Sequence, residues 1–289
     1  MKILILGIDG MIGHKIAQSL SEDFILTGST RKNISNSDIG IKNCNLITHN
    51  FITDNTLTLL DDITPDIIIN CVGITIRRGV NNSVENTKKL NSDLPHKLNH
   101  WVEINHKKLI HLSSDCVFSG KKGNYSDEST PDATDLYGIS KSKGEVIGKN
   151  ALTIRCSIIG REIYNHTELF EWLYSMKNQK IEGYKNVIYS GVTSTWMGKT
   201  INHIIKNNID LTGIYNISAV PISKYDLLIK LSDAFNLNVD ISLNSNIKSN
   251  KVLISKKFTE ITGINSPNWS DLIVDFKADS DKFSTIYKS

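Results

Sequence analysis

Ile3-Leu4-Ile5-Leu6-Gly7-Ile8-Asp9-Gly10-Met11-Ile12-Gly13 opens the chain and decides its fold. Four apolar residues end on a glycine, glycines recur three apart, and a helical pattern through Ile12, Ile16, Ala17 and Leu20 follows at once. In a strand–turn–helix unit each glycine has a separate physical task. Gly7 permits the tight turn out of the strand. Gly10 lets the backbone approach a pyrophosphate seated on the positive helix end, and Gly13 lets helix and sheet pack closely. The alternative is a simple packing turn, but the place of the loop after the first strand favours a dinucleotide site. No lysine-serine pair follows the third glycine, which disfavours a nucleoside-triphosphatase.

Working outward, short apolar runs alternate with amphipathic stretches. Strands are expected at residues 3–6, 24–27, 45–47, 67–72, 108–113 and 152–159, with helices at 57–60, 84–102 and 137–147. This alternation predicts βαβ units, right-handed crossovers and a parallel sheet covered on both faces, a doubly wound α/β fold of Rossmann type. After Gly160 helical segments dominate (168–176, 196–205, 223–235, 255–261), with short strands at 213–217 and 239–243. The expected division is a cofactor-binding domain over 1–160 and a smaller, mostly helical substrate lobe over 161–289, some of whose segments return to the sheet. Residues 32–37 and 244–250 read as loops, and the polar segment 276–289 as a tail prone to fraying.

Composition narrows the classes. The 289 residues hold 33 Lys+Arg against 30 Asp+Glu, a formal charge of +3, with 39% hydrophobic and 22% charged residues. That is too apolar for disorder and too evenly charged for a membrane protein or a nucleic-acid surface. The apolar run at 3–6 is too short for a signal peptide. Cys44, Cys71, Cys116 and Cys156 form no CxxC pair; they read as small buried hydrophobes in a reducing cytoplasm, and no metal site is expected.

The second strand tests cofactor type. It runs into Gly28-Ser29-Thr30-Arg31-Lys32, with no carboxylate to take ribose hydroxyls and two cations. Arg31, beside Lys32, suits a 2′-phosphate, so NADP(H) is favoured over NAD; a solvated basic loop is the alternative.

Tyr137-Gly138-Ile139-Ser140-Lys141 sets Tyr and Lys four apart on one helix face. A phenol with an ordinary pKa of about 10 needs a neighbouring ammonium group to work near neutrality. Ser113-Ser114-Asp115 ends a strand upstream, where open α/β sheets place ligands, and a hydroxyl there can hold a carbonyl against the tyrosine.

These motifs, with Ile69-Asn70-Cys71-Val72-Gly73, the run Ser113-Ser114-Asp115-Cys116-Val117-Phe118-Ser119-Gly120 and the extension Ser142-Lys143-Gly144-Glu145, resemble the extended short-chain dehydrogenase/reductases. The similarity is greatest to the dTDP-4-dehydrorhamnose reductase branch of sugar-nucleotide 4-ketoreductases, dense over 1–160 and thinner beyond. The resemblance implies that Ser114 orients a keto oxygen, Tyr137 delivers the proton, and Lys141 lowers the tyrosine pKa and holds the nicotinamide ribose. It implies NADPH as hydride donor and a nucleotide-activated 4-keto-6-deoxyhexose as substrate. Met11, Ile12, Asn50, Phe51, Cys71, Val72, Gly73, Thr75 and Asn91 match cofactor-side positions, and Cys116, Val117 and Phe118 substrate-side ones.

Three departures stand out. Cys116 replaces a tyrosine near the sugar, Asn50 an aspartate near the adenine, and Tyr189-Ser190-Gly191-Val192-Thr193-Ser194 a Gly-Ser-Pro-Thr-like turn. An epimerase is disfavoured by Arg31, and a dehydratase by the missing acidic pair after Ser114. A non-catalytic regulatory module, like the methionine adenosyltransferase subunit that resembles the same branch, is the reading from another class. Oligomeric state stays open, with a homodimer among the options.

Overall fold

The computed structural model describes residues 1–75 and 83–287. Its centre is a seven-stranded, all-parallel sheet. In chain order the first six strands are β1 (Lys2–Leu6), β2 (Ile25–Thr30), β3 (Asn45–Thr48), β4 (Ile67–Asn70), β5 (Lys108–Leu112) and β6 (Ala151–Arg155). Across the sheet the order is Gly213–Asn216, β6, β5, β4, β1, β2, β3. The chain winds outward from β1 to β3, then returns to β4 on the other side of β1. Ligands in such sheets bind at that reversal, outside the carboxyl ends of β1 and β4. Register sets the two ends level, with Leu6 opposite Asn70.

Both sheet faces are covered, as continuous apolar strands require. Ile3 and Ile5 point into one cluster, which runs on through Phe170, Leu231 and Phe276, while Leu4 and Leu6 join Ile68, Leu98 and Trp101 on the other face. The helix α1 (Gly13–Leu20) packs on the helix Ser194–Asn207, and the crossing is close: a Cβ on Gly198 would lie 2.7 Å from the Lys15 carbonyl. The described residues beyond 160 also form two small sheets of their own, one of them Lys180–Tyr184 paired with Asp240–Asn244.

Several boundaries differ from the sequence reading for identifiable reasons. The second strand runs on to Thr30, because Ser29 and Thr30 still pair with Ile47 and Thr48. Arg31 and Lys32 are therefore the first residues past its carboxyl end. The run 152–159 divides: Ala151–Arg155 stays in the main sheet, and Ile158–Ile159 pairs with Val192–Thr193. The helix expected over 84–102 contains a π-helical stretch, Lys89–Asp93, between Val84–Lys88 and Leu94–Asn105. Pro95 has no N–H for the Asn91 carbonyl four residues back, which is where the regular ladder breaks. Gly144 ends the helix Leu136–Lys143 against that carbonyl, where a Cβ would sit 1.9 Å from the oxygen.

The tail expected to fray does not; its last two residues lie outside the described ones. The helix Trp269–Lys282 buries Trp269, Leu272, Ile273, Phe276 and Ser280, an apolar stripe at helical spacing beneath a polar face. Beyond it, Ile286 and Tyr287 are buried in the main core. Tyr287 also closes a relay. Its hydroxyl lies 3.0 Å from His14 Nε2, and His14 Nδ1 lies 2.8 Å from the Gly10 carbonyl. Burial lowers the His14 pKa to about 3, so the ring is neutral. A carbonyl only accepts, so Nδ1 carries the proton and Nε2 accepts from Tyr287.

Tyr287→Phe leaves a buried Nε2 without its donor. The expected cost is about 1–2 kcal/mol in urea unfolding, and an unchanged midpoint contradicts the relay.

Candidate active site

Two cavities of about 420 and 350 Å³ lie side by side over the carboxyl ends of the strands. Gly10, Met11, Cys71, Val72 and Gly73 line both. The first adds Gly7, Arg31, Lys32, Asn50 and Phe51, and the second Ile12, Ser114, Cys116, Tyr137, Lys141 and Thr75. The glycine loop and the Ser/Tyr/Lys set, more than a hundred residues apart in sequence, thus share a wall.

The loop is shaped by backbone contact. Gly7 has φ +75°, a conformation that favours glycine. A Cβ on Gly13 would lie 2.1 Å from the Gly7 carbonyl oxygen, so Gly13 packs the helix and lines neither cavity. A Cβ on Gly10 would meet only that same oxygen, at 3.2 Å; its other side is open to both cavities. This bare backbone near the amino end of α1 fits a pyrophosphate.

At the far end of the first cavity Arg31 and Lys32 are exposed. The Lys32 ammonium sits 3.2 Å from the Tyr164 ring centroid. Among the described residues the Arg31 guanidinium has no hydrogen-bond or ion-pair partner, so it remains available to an anion. Asn50 shapes its own turn: its N–H donates to Asp54 Oδ2, and its Oδ1 accepts from the Ile52 N–H at 3.1 Å.

In the second cavity Ser114 caps a 3₁₀ turn, its Oγ accepting the Cys116 N–H at 3.1 Å. Tyr137 and Lys141 come from one face of the helix Leu136–Lys143. Loss of water raises the Tyr137 pKa above the ordinary phenol value, with the nearby Cys116 adding to the rise and hydrogen bonding from Ser114 opposing it. Tyr137 is therefore a protonated donor at neutral pH. Lys141 is 4% exposed and donates to the Leu112 carbonyl at 2.7 Å. Burial lowers its pKa to about 8, while Glu145 and Cys71 oppose the fall. Glu145 is fixed by a bidentate pair with Arg155, both contacts 2.7 Å, and by the Ser113 hydroxyl at 2.8 Å. That buried pair ties the end of β5 to β6.

Some candidates serve from behind. The Asn91 amide is spent on the Ile74 N–H and carbonyl and on Ser140 Oγ, all within 3.0 Å. It clamps the loop after β4 to the Tyr137 helix and lines neither cavity. Val117 and Phe118, expected at the substrate, are fully buried with Tyr125 and Leu253. The Phe118 ring stacks on Tyr125 at 4.0 Å, so they back the site rather than face it. Cys116 does line the cavity, its thiol pKa pushed up to about 12 by burial.

Other residues at the site were not expected from sequence. Tyr164, Asn165 and Thr167 close the first cavity; Asp115, Ser157, Ile158 and Glu168 line the second. Cys156 and Ser157 follow β6, and the strand-end rule that pointed to Ser114 reaches them too. Tyr164 and Glu168 carry no motif. Burial raises the Asp115 pKa, against the pull of Lys251 and Lys224. Among the described residues no group of three or more His, Cys, Asp or Glu is placed to hold a metal ion, and no helix is long and apolar enough to cross a membrane.

A family model described as the RmlD substrate binding domain matches residues 1–171. A probable low-salt glycan biosynthesis reductase of Haloferax volcanii is 26% identical over 165 residues, 55% of this chain and 54% of that protein, so the match spans about half the relative's length. The methionine adenosyltransferase 2 subunit beta of Pongo abelii is 24% identical over 82% of this chain and 72% of its own. Among solved structures, dTDP-4-dehydrorhamnose reductase from Bacillus anthracis, in complex with NADP, superposes with a TM-score of 0.79 at 18% identity, covering 96% of this chain and 99% of that one. At that identity the likeness shows the fold.

The Lys141 pKa gives a signed stability test. A lysine lowered from 10.5 to about 8 costs the folded state stability wherever both states are charged, below about pH 8. The cost fades as pH rises toward 10.5, because the folded protein gives up the proton first. Relative to Lys141→Met, the wild type should gain up to ~3 kcal/mol between about pH 7 and pH 10.5 in denaturant titrations. A pH-independent difference contradicts the buried ammonium.

Proposed function

This chain belongs to the RmlD substrate-binding-domain family, and we propose that it is an NADPH-dependent reductase of a nucleotide-activated 4-keto-6-deoxyhexose, acting in the cytoplasm in deoxysugar or surface-polysaccharide biosynthesis. One observation carries the reading: Ser114, Tyr137 and Lys141 line a cavity that shares its wall with the glycine-loop cavity. Its division into a cofactor domain over 1–160 and a substrate lobe over 161–289 belongs to the same proposal.

In this reading Gly7 and Gly10 bring the cofactor's pyrophosphate against the backbone, and Arg31, without a partner among the described residues, takes the 2′-phosphate. Cys71, Val72 and Gly73 lie between the two cavities, where the cofactor passes from one to the other. The nicotinamide, when bound, supplies a hydride. The chain's own residues manage the proton. Ser114 Oγ and the Tyr137 hydroxyl together donate to the keto oxygen, and Tyr137, held protonated by its dry surroundings, passes its proton to that oxygen as charge develops. Lys141 spends one N–H on the Leu112 carbonyl, which fixes its ammonium beneath the phenol's helix turn. Its charge stabilises the phenolate left behind, and its other protons are available to the ribose.

The likeness to the methionine adenosyltransferase subunit favours a second reading, a non-catalytic cofactor-binding subunit. A buried, partly deprotonatable lysine four residues from a desolvated tyrosine is costly to maintain and is unexplained by binding alone. NADPH oxidation with dTDP-, UDP- and GDP-4-keto-6-deoxyhexoses separates the two. The reductase reading expects turnover with at least one of them; no turnover with NADPH bound favours the subunit.

Two variants test the roles. Tyr137→Phe should lower kcat by ~10²–10⁴-fold while leaving the NADPH Kd within about twofold; unchanged turnover removes Tyr137 from the chemistry. Arg31→Ala should weaken NADPH by about tenfold or more and leave NADH nearly unaffected. Equal losses for both cofactors make Arg31 a solvated charge.

A further inference from the structure

Glu168 lines the same cavity as Ser114 and Tyr137, just before the helix Leu169–Ser175. Its main chain is fixed by a buried carboxylate, since Glu162 Oε2 accepts the N–H groups of Thr167 at 2.6 Å and Glu168 at 2.8 Å. Its side chain is held on one side only. Thr75 Oγ1 donates to Glu168 Oε1 at 2.9 Å, and among the described residues Oε2 has no donor and no cation. The carboxylate is near enough to Tyr137 to act on the phenol through its charge. Cys71, Val72, Cys156 and Ile158 supply much of the surrounding wall.

A carboxylate fixed in this way, on a wall with apolar patches, loses water when a ligand enters and must recover hydrogen bonds from it. The charge of Glu168 repels a diphosphate, so the matching part of the ligand is one rich in donors. We infer that Glu168 is a specificity residue that accepts hydrogen bonds from ring hydroxyls of a nucleotide-linked hexose, flanking the carbon held at Ser114 and Tyr137. The inference rests on the reductase reading for the identity of that carbon. Thr75 is a positioning residue in it: by taking Oε1, it turns Oε2 toward the ligand.

The test is calorimetry on the full chain saturated with NADP⁺, titrated with UDP, UDP-glucose, dTDP and dTDP-glucose. In the wild type the sugar should tighten binding over the bare diphosphate. Glu168→Ala should lose about tenfold for the nucleotide sugars, with the bare diphosphates and NADP⁺ within about twofold. Glu168→Gln, which keeps one acceptor oxygen, should recover part of the loss. A wild type that gains nothing from the sugar overturns the inference. So does an alanine variant that loses diphosphate or NADP⁺ affinity equally, because Glu168 would then be a structural prop or a cofactor contact. A wild type that fails to oxidise NADPH with any keto sugar sinks the reductase reading separately, and the calorimetric gap still decides Glu168.

Discussion

The site depends on one close backbone contact, that of Gly13 with the carbonyl of Gly7. A side chain at position 13 would have to stand 2.1 Å from that oxygen, so its absence sets how near α1 comes to the end of β1. That distance opens Gly10 to both cavities and brings Cys71 and Val72 against Gly7 from β4. The relay from Tyr287 through neutral His14 to the Gly10 carbonyl holds the same loop from the C-terminal end of the described chain. Residues at opposite ends of the chain therefore fix one turn.

A second constraint acts on the catalytic helix. Asn91 binds Ile74 on one side and Ser140 on the other, and Gly144 rests on the Asn91 carbonyl that Pro95 leaves free of its helical partner. The loop after β4, which lines the cavity wall, and the helix bearing Tyr137 and Lys141 are thus positioned by one buried amide. Lys141 in turn grips the end of β5 through the Leu112 carbonyl. Desolvation there raises the tyrosine pKa and lowers the lysine pKa, moving the two apart and favouring the neutral form of each.

Much of this was legible in the sequence because it depends on local pattern. The apolar strands, the glycine spacing and the Tyr–Lys interval each state their geometry within a few residues, and the parallel sheet covered on both faces follows from the βαβ rhythm. What was not legible depends on distant partners. The tail was misread by its polar composition, although Trp269, Leu272, Ile273 and Phe276 carry a helical stripe whose partner surface is built by residues distant in sequence, among them Phe170 and Phe235 against Phe276. Val117 and Phe118 look like site residues from their motif, but Tyr125 and Leu253 bury them. Glu168 has no motif at all; only the fold sets it beside Thr75.

The most direct measurement of the central claim follows hydrogen itself. NADPH carrying deuterium at the transferable position is incubated with the protein and the keto sugar it turns over, and the product is analysed by mass spectrometry. The reductase account predicts one deuterium on the former carbonyl carbon of the sugar. A sugar left unreduced with NADPH bound, or a reduced product without the label, contradicts it.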